Sequence, residues 1–200
     1  MPNVRANGIS IEYEEFGRQD STPLLLIMGL GSQMVMWPDG FCEKLADRGF
    51  RVIRFDNRDV GLSTKFNDRC PNPGQLIVEV MQRKSVDPPY TLDDMAEDAA
   101  GLLQALGIPS AHVVGASMGG MIAQLVALHH PHQVLTLTSM MSTTGDPELP
   151  QATPAVMLLL LERPPTEREA AIEHDLRVRR AIAAAIHDVA AATGASSLSR

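Results

Sequence analysis

Cysteine is scarce: Cys42 and Cys70 are the only two in 200 residues. They are too few for a disulfide framework and are not spaced as metal ligands, so both read as ordinary thiols. Positive charge is scarce as well. With 17 Lys and Arg against 24 Asp and Glu the net charge is -7, and no long basic stripe interrupts it, which argues against a nucleic-acid partner. No run reaches the roughly 18 uncharged apolar residues of a membrane span, and the opening residues, MPNVRANGIS, lack the basic-then-apolar order of a secretory signal. No internal repeat is evident. These absences point to a cytoplasmic chain whose partner is a small neutral molecule. What is present, 44% hydrophobic and 20% charged residues, is the composition of a soluble globular protein with one substantial core.

Alternating apolar residues around Asn7-Gly8 predict two strands joined by a tight turn, because both turn residues tolerate positive φ. PLLLIMG (23–29) and RVIRFD (51–56) are short, nearly continuous apolar runs, as expected of strands covered on both faces. WPDGFCEKLADRG between them has helical spacing and stops at Gly49, completing a βαβ unit. A further helix is predicted over 90–107, with Thr91 as N-cap, acids in its first turns and a stop at Gly107. HVVGAS then reads as a buried strand, MGGMIAQLVALHH as its helix, and QVLTLTSMM as the next strand. Strands alternating with helices imply a mostly parallel sheet flanked by helices.

Beyond residue 142 the character changes. STTGDPELPQATP is loop, AVMLLLLE is a short helix candidate, and Thr166 with Glu169 forms a capping box for a polar helix. The alanine-rich end favours helix and frays into serines. The expected division is a core over 1–142 and a helical cap-like segment with its tail over 143–200.

The junction Gly115-Ala116-Ser117-Met118-Gly119 carries the chemistry. A strand turning directly into a helix strains the residue at the apex and projects its side chain, and small neighbours make that turn possible. Ser117 then sits at a helix N-terminus, where free backbone N–H groups and the helix dipole favour an oxyanion. Acyl transfer needs two converging donors, one of them the residue after the nucleophile, here Met118. The Gly-rich loop Met28-Gly29-Leu30-Gly31-Ser32 offers the second, at Leu30; a plain flexible turn is the other reading of that loop. The methionines at 28, 34, 36, 118, 121, 140 and 141 cluster near strand ends and the elbow, and serve either an apolar acyl pocket or ordinary core filling.

LLLIMGLGSQMVMW, RVIRFDNRDVGLST, YTLDDMAEDAAGLLQALGI and AHVVGASMGGMIAQLVALHHP together resemble the α/β-hydrolase superfamily, in particular its branch of carboxylic-ester hydrolases that includes aclacinomycin methylesterase. The resemblance covers about residues 1 to 180. It implies Ser117 as nucleophile, Leu30 and Met118 as backbone oxyanion donors, and Asp56, Arg58, Gly61 and Ser63 as a structural loop beside the site. A helical cap after the strand at 134–141 is implied too. Met28 stands where many relatives have histidine.

A serine hydroxyl needs a base, and the base needs an orienting acid. The family order is Ser, then Asp or Glu, then His, on loops after later strands, and no such strand follows residue 141. The chain reads as a truncated α/β-hydrolase fold. His129 and His130 lie roughly 18–20 Å along the helix from Ser117, and His112 and His132 fall at the wrong edge of the sheet. His174 and His187 remain as candidate bases, each with a solvated helix histidine as the ordinary alternative. Asp146 is the best-placed acid, against the bland reading of a turn aspartate beside Gly145.

Two functions stand at this point: a serine hydrolase of small carboxylic esters, or a catalytically silent relative that binds a small apolar ligand or a partner chain. Haloalkane dehalogenation would need a carboxylate where Ser117 stands. No metal or organic cofactor is expected. A homo-oligomer is expected, since association would cover the edge strand left after residue 141.

Overall fold

The start of the chain pairs Val4, Ala6, Ile9 and Ile11 across a turn in which Asn7 and Gly8 both take positive φ, 45° and 78°. This hairpin joins β1 (Asn3–Ala6) to β2 (Ile9–Phe16). The computed structural model describes residues 2–66, 88–146, 148–149, 153–162 and 165–192; for 154–155, 157, 161 and 184–192 it describes the backbone alone. Cys70 lies outside the described residues.

β2 runs antiparallel to β4 (Phe50–Phe55). β4 then pairs parallel with β3 (Thr22–Ile27), β3 with β5 (Ala111–Ala116), and β5 with β6 (Val134–Met140). The six strands lie in the order β1-β2-β4-β3-β5-β6, so the mostly parallel sheet behind an antiparallel hairpin is as the sequence implies. Alternate residues of the central strands face opposite cores. Leu25, Ile27, Ile53, Phe55 and Val113 join Ile9 and Ile11 under α2 (Leu92–Ala105) and α3 (Met118–His129). On the other face Leu24, Leu26 and Val52 pack with Trp37 and Cys42 beside α1 (Asp39–Ala46). Burial there pushes the Cys42 thiol up from its ordinary value, with Arg54 acting against it.

α2 opens on the expected cap. The Thr91 hydroxyl accepts from Asp94 N, and the Asp94 carboxylate accepts from Thr91 N at 2.7 Å. Two compact units divide the chain, Met1–Asp146 and Pro147–Arg200. The second holds α4 (Pro154–Leu161), capped by Thr153, and α5 (Arg168–Ala192), a single helix that takes in both the polar and the alanine-rich stretches. α5 begins one residue later than a cap at Thr166 requires. No helix among the described residues is long and apolar enough to cross a membrane.

Candidate active site

Ser117 stands between β5 and α3 with φ 55° and ψ -125°, a region that residues with a Cβ rarely enter. Its N–H donates to Met140 O at 2.8 Å, so the adjoining strand holds the apex from one side. Its side chain is exposed. The small residues around it are required sterically. A Cβ on Gly115 would lie 2.1 Å from Gly119 O, and one on Gly119 would lie 2.2 Å from Ile27 O. Gly120 is less tight and meets side chains, with Ser139 Oγ and the Ser142 side chain within 2.7 Å of its Cβ position. The helix therefore starts directly against the strand ends, and Met118 is its first residue, among the N–H groups that have no intrahelical partner.

The loop leaving β3 closes the other side. A Cβ on Gly29 would meet Ser117 Cβ at 3.0 Å and Ser117 Oγ at 3.4 Å, so the loop passes the Ser117 side chain at Gly29, one residue before Leu30. The Leu30 side chain is 57% exposed. Of the methionines, Met34 is buried, Met28 and Met140 pack against the α1-side core, and Met118 packs against the other core. Met141 is exposed, and at φ 49° it turns the chain away from β6. Core filling accounts for most of the cluster.

The loop after β4 is a rigid neighbour. The buried Asp56 carboxylate accepts from Met34 N at 2.8 Å and from Leu62 N at 3.0 Å. Ser63 Oγ donates to Asp56 O at 2.6 Å and accepts from Glu12 N at 3.0 Å. Gly61, at φ 49°, lies so close that a Cβ would fall 1.8 Å from Asp56 Oδ2. Arg58 and Asp98 form a buried two-point pair at 2.6 and 2.8 Å, with the guanidinium over the Tyr90 and Phe66 rings. Desolvation opposes the Arg58 charge, and Asp98 together with Asp94 and Tyr90 outweighs it, raising the Arg58 pKa. Asn57 also belongs to this loop, with Nδ2 donating to Met28 O at 2.9 Å; its only signal in the sequence is its place next to Asp56.

Four histidines have work elsewhere. His112 Nδ1 lies 2.7 Å from Thr136 Oγ1, near the start of β5. His129 and His130, at the far end of α3, pair with Asp93 and Glu97 of α2, each at 2.8 Å, and His132 rests edge-on against His130. Asp146 is exposed beyond β6, its N–H directed at Thr144 Oγ1 next to Gly145, whose φ is 83°. His174 lies in the second unit with Nε2 3.5 Å from Glu162 Oε2. His187 falls on α5, where the backbone alone is described. Within the first unit, then, Met118 follows Ser117 at the helix start and Gly29, the neighbour of Leu30, lies against the Ser117 side chain.

Comparison with known proteins agrees with this architecture. The chain is 36% identical over 143 residues to rhodomycin D methylesterase DauP of Streptomyces sp. (strain C5), covering 72% of this chain and 42% of that protein. It is 38% identical over 138 residues to rhodomycin D methylesterase DnrP of Streptomyces peucetius, covering 69% and 41%. The chain thus spans well under half the length of these relatives in the matched region. Among solved structures, a hydrolase from Pseudomonas aeruginosa PA01 superposes with a TM-score of 0.61 at 26% identity, covering 91% of this chain and 65% of that one. The family model for the alpha/beta hydrolase fold matches residues 22–187, from β3 through the elbow into α5, and the chain belongs to that family.

Proposed function

We propose that Ser117 is the nucleophile of a serine hydrolase acting on small carboxylic esters. The observation that carries this reading is the strained backbone of Ser117 at a strand-to-helix junction, with Gly29 packed against its side chain. In the proposed reaction Ser117 Oγ bonds to the ester carbonyl carbon and gives its proton to a histidine. The carbonyl oxygen becomes an oxyanion facing the N–H groups of Leu30 and Met118. The C–O bond to the alcohol then breaks, the alcohol takes the proton from the histidine, and water cleaves the acyl-enzyme with help from the same base. A methyl ester or another small ester is favoured by the resemblance to the two methylesterases. No cofactor enters the scheme, and a cytoplasmic setting suits it.

For the rest of the triad, Asp146 is the proposed acid and His174 or His187 the proposed base, or a histidine from a second copy. Turnover of p-nitrophenyl acetate by wild type and Ser117→Ala tests the nucleophile. Loss of at least about 1,000-fold in kcat is expected from the cost of removing a triad serine, and an unchanged rate would end the proposal. A histidine base gives kcat/KM a limb near neutral pH, and that limb disappears in whichever of His174→Ala and His187→Ala removes it.

A further inference from the structure

The segment from Met28 to Met34 passes Ser117 with little to hold it from within. Its internal bonds are long, Ser32 N to Gly29 O at 3.3 Å and Ser32 Oγ to Leu30 O at 3.3 Å. Gly31 sits at φ 63°, and the exposed Leu30 side chain adds little packing. Both ends, by contrast, are gripped by consecutive residues at the exit of β4. Asn57 Nδ2 donates to Met28 O at 2.9 Å, and Asp56 Oδ1 accepts from Met34 N at 2.8 Å. Asp56 and Asn57 are 3% and 2% exposed. Asp56 is itself immobilised by Leu62 N and by the close approach of Gly61.

Fixing the Met28 carbonyl fixes the Met28-Gly29 peptide plane, leaving one pair of backbone angles, at Gly29, between that plane and the N–H of Leu30. Glycine restricts those angles least of all residues, so the direction of the Leu30 N–H depends on the anchor preceding it. We propose that Asn57 is a positioning residue for the Leu30 N–H, aiming it at the oxygen that forms on the carbon attacked by Ser117. The inference rests on the reading of Leu30 as an oxyanion donor. It adds that the donor is preorganised from β4, through a side chain that never touches substrate.

The test uses Asn57→Ala and Asn57→Ser, neither of which reaches Met28 O with an amide. Two readouts are taken: amide hydrogen exchange of the peptide spanning 29–33, and kcat and KM for p-nitrophenyl acetate. The expected result is loop exchange at least tenfold faster, with α2 and α3 unchanged, and a kcat about 10- to 100-fold lower with KM within about twofold, the signature of a misplaced transition-state donor. Unchanged loop exchange overturns the proposal. So does a loosened loop with undiminished kcat in an enzyme that turns over through Ser117. If wild type shows no Ser117-dependent turnover, the esterase reading has failed, and the exchange measurement alone decides whether Asn57 holds the loop. Loss of a cooperative melt in both variants would make Asn57 a folding residue and also overturn the claim.

Discussion

Ser117 shows what a single residue gives up for its position. At φ 55° and ψ -125° it occupies a conformation that costs on the order of 1–3 kcal/mol for a side chain with a Cβ. Ser117→Gly removes that strain but adds freedom to the unfolded chain, worth about 0.5–1 kcal/mol the other way. Urea denaturation should therefore find Ser117→Gly more stable than wild type by about 1 kcal/mol. A variant less stable than wild type would mean that the serine is not strained. The elbow was legible because its demand for small residues is written into the chain, and each expected glycine meets backbone within 2.2 Å of a Cβ position. The grip of Asn57 on Met28 was not legible, since it joins positions 29 residues apart through a single amide. His129 and His130 were excluded as bases by spacing alone; their pairing with Asp93 and Glu97 needed coordinates.

Among the elements, α2 gives the clearest case of local sequence deciding local structure. Thr91 and Asp94 satisfy each other's backbone N–H groups at its start, and replacing a capping threonine by alanine costs about 1 kcal/mol. Asp94 is held below the usual carboxylate range first by the Thr91 backbone N–H and then by the Thr91 hydroxyl. A depressed folded-state pKa contributes stability above the unfolded value, about 4, and that contribution is lost as pH falls through the lower folded value. Thr91→Ala should lose about 1 kcal/mol at pH 7, and the deficit of Asp94→Ala relative to wild type should shrink as pH is lowered below about 4. Urea melts across that range check both, and a deficit independent of pH would remove the carboxylate from the cap. The succession of strands and helices along the chain follows from apolar runs of strand length separated by helical spacing, and those patterns survive because the central strands are covered on both faces. α5 starts at Arg168, the first residue of the polar helical stretch in the sequence, one residue beyond the start that a cap at Thr166 would give.

For the whole molecule, the feature with the widest consequence is β6. It ends the sheet among the described residues, and Leu135 and Leu137, on one face of it, are 49% and 41% exposed. An edge strand with exposed apolar residues favours pairing with another chain. A self-association that covers this edge is the proposed assembly. Sedimentation at micromolar concentration should find wild type heavier than one chain and Leu135→Lys close to monomeric; a wild-type monomer would contradict it. The global fold was legible through the order of elements. The catalytic acid and base were not, because nothing around Asp146, His174 or His187 fixes a distance to Ser117, and the matched region is well under half of the methylesterases' length. The central claim is that Ser117 is a working nucleophile, and labelling with a fluorophosphonate, in which Ser117 Oγ bonds to phosphorus and fluoride leaves, tests it most directly when read by intact mass. One adduct per chain on wild type and none on Ser117→Ala is the predicted result; no adduct on wild type, or an undiminished adduct on Ser117→Ala, would contradict it.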